Sequence, residues 1–276
     1  MRRVLAGLPR AAVLLVVAVA IAVPLSLVVF TSLKAANGFF ASPFSPPTDP
    51  QWQNYGRIID PEGENIWRAA LNSAIVTATT VGLVLLLGSM AAYAIARIRG
   101  WRSTALFAFF IGGLMVAPQV YMTPLFVIIS QLQLVNTFRA VVLVSVAVQL
   151  PIAVLVLTGF MRSLPQELID AALVDGGSEW DVYRRIVVPL TRPAFATVAI
   201  FSLVITWNDL LFPLLFLRVE QLRTLPLALL QFRGEYLTNY PVLFAGVTLA
   251  TIPMVAAYLA MQRYFVEGLT AGSLKG

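Results

Sequence analysis

The chain has no cysteine and no histidine among its 276 residues. The first absence excludes disulfides and thiolate chemistry, and the second removes the commonest metal ligand and general base. No metal site and no catalytic group is therefore expected. Lysine occurs only at Lys34 and Lys275, and neither lies in a G-x-x-x-x-G-K-[ST] loop. Any nucleotide chemistry associated with this protein must be carried by another chain. Charge is scarce: 12% of residues are charged and 59% are hydrophobic, where a soluble domain carries about 25% charge. With a mean hydropathy of +0.85, the chain is read as an all-α integral membrane protein. The net charge of +6 comes from 19 basic and 13 acidic residues. The basic residues flank apolar runs instead of forming one patch, so they report membrane topology and not a nucleic-acid partner.

Six apolar runs fit transmembrane helices, each close to the roughly 20 residues that a bilayer core of about 30 Å requires. They cover residues 11–33, 69–96, 104–130, 140–161, 194–217 and 240–262 and make a single membrane domain over 1–276. The first follows Arg2, Arg3 and Arg10. It exceeds the roughly 7–15 apolar residues of a cleaved signal and is read as a retained helix. The second carries Asn72 and Ser73 near its outer end, placed either to face a polar pathway or to bond across helices. The third lies in an uncharged stretch of 36 residues (103–138), interrupted by Pro118 and Pro124 around Gln119 and Tyr121. This pattern is either a broken helix lining a cavity or a simple proline kink. The fifth contains Asn208 and Asp209, the one acid inside an apolar run. A charge there costs about 2.5–3.5 kcal/mol on insertion scales, so Asp209 should face the bundle interior or a water-filled path. Segments 34–68 and 218–239 are read as external loops. In the first, Phe39, Phe40, Trp52 and Tyr55 suit either the membrane boundary or a partner protein.

Between the fourth and fifth runs stands a polar loop, 162–193, with five of the thirteen acids: Glu167, Asp170, Asp175, Glu179 and Asp181. Its punctuation describes two short helices and a bend. Pro165 suits a first turn, Gln166 to Val174 continues as helix, and Gly176-Gly177 supplies a permissive break. Ser178 is a natural N-cap, with Asp181 three residues on as a short-armed capping box. Trp180, Tyr183 and Val187 recur at i, i+3 and i+7, predicting one apolar face, and Pro189 is expected to end the second helix. Such a hairpin is a peg for another protein's groove. Six spans put both termini on one side. Twelve basic residues lie on the side of the polar loop and seven on the other, so the termini and the loop are expected in the cytoplasm.

Asp170-Ala171-Ala172, three residues, Gly176, nine residues, then Ile186-Val187-Val188-Pro189 resembles the EAA–G–I-x-LP signature of ABC importer permeases. Asp170 stands where the family has Glu, and Val188 where it has Leu. Trp207-Asn208-Asp209 and the end, Arg263 to Gly272, resemble the shorter permease of carbohydrate importers of the maltose-transporter type. The resemblance implies a type I ABC importer permease fold, in which the 162–193 loop is the coupling element that docks into a cytoplasmic ATPase. Coupling then falls to Glu167, Asp170, Ala171, Ala172, Asp175, Gly176, Trp180, Tyr183, Ile186 and Pro189. It also implies a second homologous permease, two ATP-binding subunits that hold ATP and Mg²⁺, and an extracytoplasmic solute-binding protein. This chain would bind no cofactor itself and would be a non-catalytic subunit of the cell membrane. Asn72, Gln119, Tyr121, Asn208 and Asp209 are the candidates for contact with a carbohydrate in the pathway. An ion-coupled secondary transporter using Asp209 is the alternative. An intramembrane enzyme is disfavoured by the lack of His and Cys and by the lone acid.

Overall fold

In the computed structural model, residues 8–59, 66–230 and 239–273 are described, and among them every regular element is a helix. Two compact units emerge: residues 1–70 with 227–253, and residues 71–226 with 254–276.

In the first unit, α1 (Leu8–Ser32) is uncharged after Arg10 and exposes nearly every side chain along its apolar length. Behind it, α2 (Ala36–Ala41) and α3 (Gln53–Ile59) fold around a buried lysine. The Lys34 ammonium donates to the carbonyls of Ser42 and Pro43, which satisfies a charge that burial would otherwise penalise. The Asn54 amide donates to the carbonyls of Ser32 and Lys34, both at 2.9 Å. Of the loop aromatics, Phe39 stacks on Tyr240 at 4.8 Å and Phe40 meets the same ring edge-on. The Tyr55 hydroxyl pairs with Ser32 at 2.6 Å, and Trp52 is left exposed.

The second unit holds most of the bundle. Helix α4 (Ile66–Arg97), which begins in the first unit, is followed by α5 (Trp101–Gly113), α6 (Pro118–Gln131) and α7 (Phe138–Arg162). The polar loop forms α8 (Gln166–Val174) and α9 (Glu179–Leu190). After these come α10 (Arg192–Trp207) and α11 (Leu211–Phe216), while α12 (Leu225–Leu229) and α13 (Tyr240–Ser273) each have residues in both units. Helix α7 is the core of this unit. It is apolar on every side, as a helix enclosed by others must be, and Ala153, Val154 and Leu157 are fully buried. Small residues allow close approach. A Cβ on Gly88 of α4 would lie 3.0 Å from that of Ala153, and one on Gly113 of α5 would lie 3.1 Å from Pro151.

Six continuous spans are not what the fold contains. Helices α1, α4, α7 and α13 are each long and apolar enough to cross a membrane. The third expected span is broken into α5 and α6, because the residue before a proline is driven out of the helical region. Ala117 is extended (φ −65°, ψ 137°), and Pro118 restarts the chain as the first residue of α6. Pro124, by contrast, lies inside α6 without breaking it. The fifth expected span is α10, interrupted at Asn208–Leu210 and resumed by α11. Its other end is sharply set off from the polar loop, since α9 and α10 meet at 76°.

Candidate functional site

The bend between α8 and α9 is held by backbone geometry that strongly favours this pair of glycines. Gly176 takes φ +87°, the left-handed region. Its N–H donates to the Leu173 carbonyl (3.1 Å), while the Gly177 N–H reaches back to Ala172 (3.0 Å). These are the two bonds of a Schellman motif, which satisfies carbonyls that α8 would otherwise leave open. Gly177 is required for a different reason: a Cβ there would lie 2.8 Å from the Ala172 carbonyl oxygen. Helix α9 then starts with a complete capping box. Asp181 N–H donates to Ser178 Oγ and Ser178 N–H to Asp181 Oδ2, both at 3.2 Å. The Ser178 hydroxyl and N–H hold the Asp181 carboxyl below its usual range.

Two features of α9 differ from the sequence expectation. Pro189 does not end the helix, which continues to Leu190. The turn from Tyr183 to Val187 widens into a π-helical turn, with the Val188 N–H bonding to Tyr183. This widening makes room for a proline ring whose clash with the preceding turn would otherwise break the helix. The reversal falls at Thr191, whose N–H and hydroxyl both donate to the Val187 carbonyl, at 2.9 and 2.7 Å. The second correction concerns the apolar face. Trp180 is 54% exposed, but Tyr183 and Val187 are buried within this chain, so the three do not form a single outward ridge. Tyr183 shares a 2.7 Å hydrogen bond with Ser89 of α4 and is unavailable to a partner surface.

The outward surface is otherwise composed as follows. Val174 is 86% exposed and Leu168 46%. Glu167, Asp170, Ala171, Asp175 and Gly176 also face solvent, with Arg184 and Arg185 on α9. Ala172, Ile186 and Pro189 are half-buried, while Ile169 and Val182 point into the bundle. An apolar cluster ringed by both signs of charge can dock a protein groove. At its base, Arg162 donates to Ser103 (2.8 Å) and lies over the Phe107 ring, joining the end of α7 to the start of α5.

Sequence reasoning did not find the groups that hold the hairpin down. Arg97 Nη2 and Nε donate to Glu179 at 2.8 and 3.3 Å, and the Tyr93 hydroxyl bonds the same carboxylate. These donors, Arg97 first, lower the Glu179 pKa. Ser89, Tyr93 and Arg97 lie four residues apart on α4, as Glu179 and Tyr183 do on α9. That spacing was the available signal.

The candidate pathway residues scatter. Asn72 is buried, and its amide donates to the carbonyls of Gln221 and Arg223, both at 2.9 Å. It fastens α4 to the segment after α11. Ser73 acts beside it, accepting the Leu225 N–H at 2.8 Å. Asp209 Oδ1 accepts the N–H groups of Leu211 and Phe212, at 2.9 and 3.4 Å, and so caps α11. Asn208 is exposed at the same break and bonds back to the Val204 carbonyl. Tyr121 lines a cavity of about 610 Å³ at the α5–α6 break, with Leu114, Val116, Pro124, Val148 and Pro151. The Gln119 side chain and those of the Arg263–Gly272 motif lie outside the described residues. Gln149, the polar interruption of α7, donates to Thr206 of α10 at 3.0 Å.

Comparison with known proteins gives concordant results. Residues 84–270 match the family described as binding-protein-dependent transport system inner membrane component. The chain is 34% identical over 262 residues to the melibiose/raffinose/stachyose import permease protein MelC of Bacillus subtilis, covering 95% of this chain and 94% of MelC. It is 37% identical over 210 residues to the arabinooligosaccharides transport system permease protein AraQ of Halalkalibacterium halodurans, covering 76% and 75%. The fold matches a chain of a bacterial ABC transporter involved in the import of the acidic polysaccharide alginate. There the TM-score is 0.80 at 21% identity, over 95% of this chain and 96% of that one.

Proposed function

The chain belongs to the family of binding-protein-dependent transport system inner membrane components, and from that premise we propose that it is the permease subunit of an ATP-driven carbohydrate importer. One observation carries the mechanism: a capped, rigid helical hairpin presents Leu168, Val174 and Trp180 to solvent among Glu167, Asp170, Asp175, Arg184 and Arg185. A surface of that composition fits a groove on a cytoplasmic ATPase, where the carboxylates pair with Arg or Lys. Since the chain lacks a phosphate-binding loop, ATP and Mg²⁺ sit on two partner subunits. A second permease completes the pathway, and an external solute-binding protein delivers the solute. The chain crosses the membrane six times, its third crossing made of α5 and α6, with both termini in the cytoplasm as the basic residues direct.

Closure of the ATPase pair moves the hairpin, and the hairpin tilts the helices between inward-open and outward-open states. Such a drive works only if the two states bind nucleotide with different free energy, and the hairpin transmits that difference. MelC and AraQ act on oligosaccharides by name, which supports a carbohydrate here. No lysine or arginine lies within the apolar core of a crossing, which favours a neutral one. Tyr121 at the α5–α6 break and Asn208 at the α10–α11 break are this chain's contributions to solute contact. Gln119 joins them on sequence position, and Asp209 does so through the carboxylate oxygen that does not cap α11.

Purification of the chain with its genomic neighbours tests the proposal. Co-elution with an ATP-binding chain, and an oligosaccharide identified by mass spectrometry on the binding protein, are expected. A chain that takes up solute alone in vesicles, driven by an ion gradient, contradicts it.

A further inference from the structure

The hairpin is continuous with α7 through Leu164 and with α10 through Thr191, so its movement must reach those two helices. Its strongest side-chain attachments go elsewhere. Along the last turns of α4, Ser89, Tyr93 and Arg97 recur every four residues, and along α9 so do Glu179 and Tyr183. The two stripes run antiparallel. Tyr183 meets Ser89 at 2.7 Å and packs its ring 5.3 Å from that of Tyr93. One turn earlier on α9, Glu179 takes the Tyr93 hydroxyl and both donors of Arg97.

The burial pattern matches a mechanical joint. Tyr183 is 7% exposed and Ser89 1%, so the inner half is dry and its hydrogen bond is not exchanged with water. The outer half is a forked arginine–carboxylate pair, a geometry that fixes orientation as well as distance. Glu179 and Tyr183 hold α4, while Trp180 packs its ring 5.2 Å from that of Tyr183 and leaves the rest of its surface open to solvent.

We propose that the Ser89–Tyr93–Arg97 stripe of α4 and the Glu179–Tyr183 pair of α9 form the joint through which hairpin movement drives α4. These are positioning residues and touch neither solute nor nucleotide. The inference rests on the hairpin's being the coupling element, and its test keeps the two ideas apart.

The lack of native cysteine permits labelling on a clean background. Spin labels on Ala94→Cys and Val174→Cys, both at exposed positions, report the separation of α4 from the hairpin in the complete transporter. The separation should be the same in the nucleotide-free and ATP-bound states if α4 follows the hairpin, and Glu179→Gln should make it state-dependent. A state-dependent separation in the otherwise unaltered chain overturns the proposal. In the uptake assay, Arg97→Glu should lower solute imported per ATP hydrolysed by about fivefold or more, the lower end of ordinary coupling effects. The double variant Arg97→Glu with Glu179→Arg should recover it. Recovery would show that the loss runs through the pair itself, and solute imported per ATP counts only assembled transporters, so misfolded single variant does not enter the ratio. Wild-type stoichiometry in Arg97→Glu, or an unrecovered loss in the double variant, counts against the joint. If Gly176 variants uncouple transport and joint variants do not, only this inference fails. If the ATPase does not co-elute with the unaltered chain, the coupling reading itself fails.

Discussion

Replacing Gly176 by valine forces a β-branched side chain into backbone held at φ +87°. No other atom lies within 4 Å of where its Cβ would stand, so backbone strain is the whole of the effect. Left-handed backbone costs an L-residue about 1–2 kcal/mol. Alanine belongs at the lower end of that range and valine at or above the upper end, since bulky branched residues are genuine outliers there. Asparagine tolerates the region and should cost least. A loss of about 2 kcal/mol is roughly thirtyfold in the balance between the bent hairpin and an unravelled one. Gly177 gives an internal contrast. Its φ is not in question, but even alanine there would press its Cβ to 2.8 Å from the Ala172 oxygen. That oxygen accepts the Gly177 N–H, and losing this bond costs about 1 kcal/mol. The assay is solute uptake and ATP hydrolysis by the reconstituted transporter, with co-elution of the ATPase as the control for assembly. Solute imported per ATP should fall in the order Gly, Asn, Ala, Val at position 176. Full stoichiometry with valine, or asparagine as damaging as valine, would refute the reasoning.

Four further outcomes follow from named contacts. Asn72→Ala removes both hydrogen bonds to the part-buried carbonyls of Gln221 and Arg223. It should lower the thermal stability of the purified complex by about 1–3 kcal/mol with the KM for solute unchanged; altered solute selectivity at unchanged stability would contradict this. Asp209→Asn preserves an oxygen for the N–H groups of Leu211 and Phe212 and should retain uptake within about twofold, whereas Asp209→Ala loses about 1 kcal/mol of cap. Abolition of uptake by Asp209→Asn, with sensitivity to collapsed ion gradients, would point to ion coupling. Glu179 has its pKa lowered from 4.5, chiefly by Arg97. Its contribution to holding the hairpin is therefore complete above 4.5 and lost only as the pH falls below that through the lowered value. The protection factor of the α9 amides, the exchange rate relative to its intrinsic value at each pH, should accordingly be constant from neutral pH down to the ordinary glutamate range and fall below it in the unaltered chain only, not in Glu179→Gln. Gly88→Leu drives bulk into the α4–α7 contact, where even a Cβ sits 3.0 Å from Ala153. It should destabilise the complex by about 1–3 kcal/mol, read as reduced yield of assembled transporter.

What could be read from the sequence was what depends on neighbours in the chain. The capping box of Ser178 and Asp181, the left-handed Gly176 and the break before Pro118 are all local, and residue type alone specifies them. The π-helical turn before Pro189 is local too, but the sequence offers two ways to accommodate a proline. Ending the helix was the simpler one, and tertiary packing of Tyr183 and Val187 selected the other. Asn72 had two readings because a buried amide reads the same whether it faces solute or a backbone carbonyl. Its partners, Gln221 and Arg223, are about 150 residues away in the chain. The α4–α9 joint was hidden for the same reason: each stripe has helical spacing, but nothing in either names the other. Trp180 and Tyr183 keep helical spacing while a π-helical turn intervenes before Val187, and spacing alone does not say whether a face turns toward a partner or toward the bundle.

Cross-linking from the hairpin tip tests the central claim most directly. Val174→Cys places the only thiol of this chain at its most protruding apolar residue on α8. In the transporting complex, a short bifunctional reagent should join that thiol to the ATP-hydrolysing subunit, with a yield that changes between the nucleotide-free and ATP-bound states. Uptake-competent complexes in which the thiol reacts freely with water-soluble reagents in both states and never joins a nucleotide-hydrolysing chain would contradict the account.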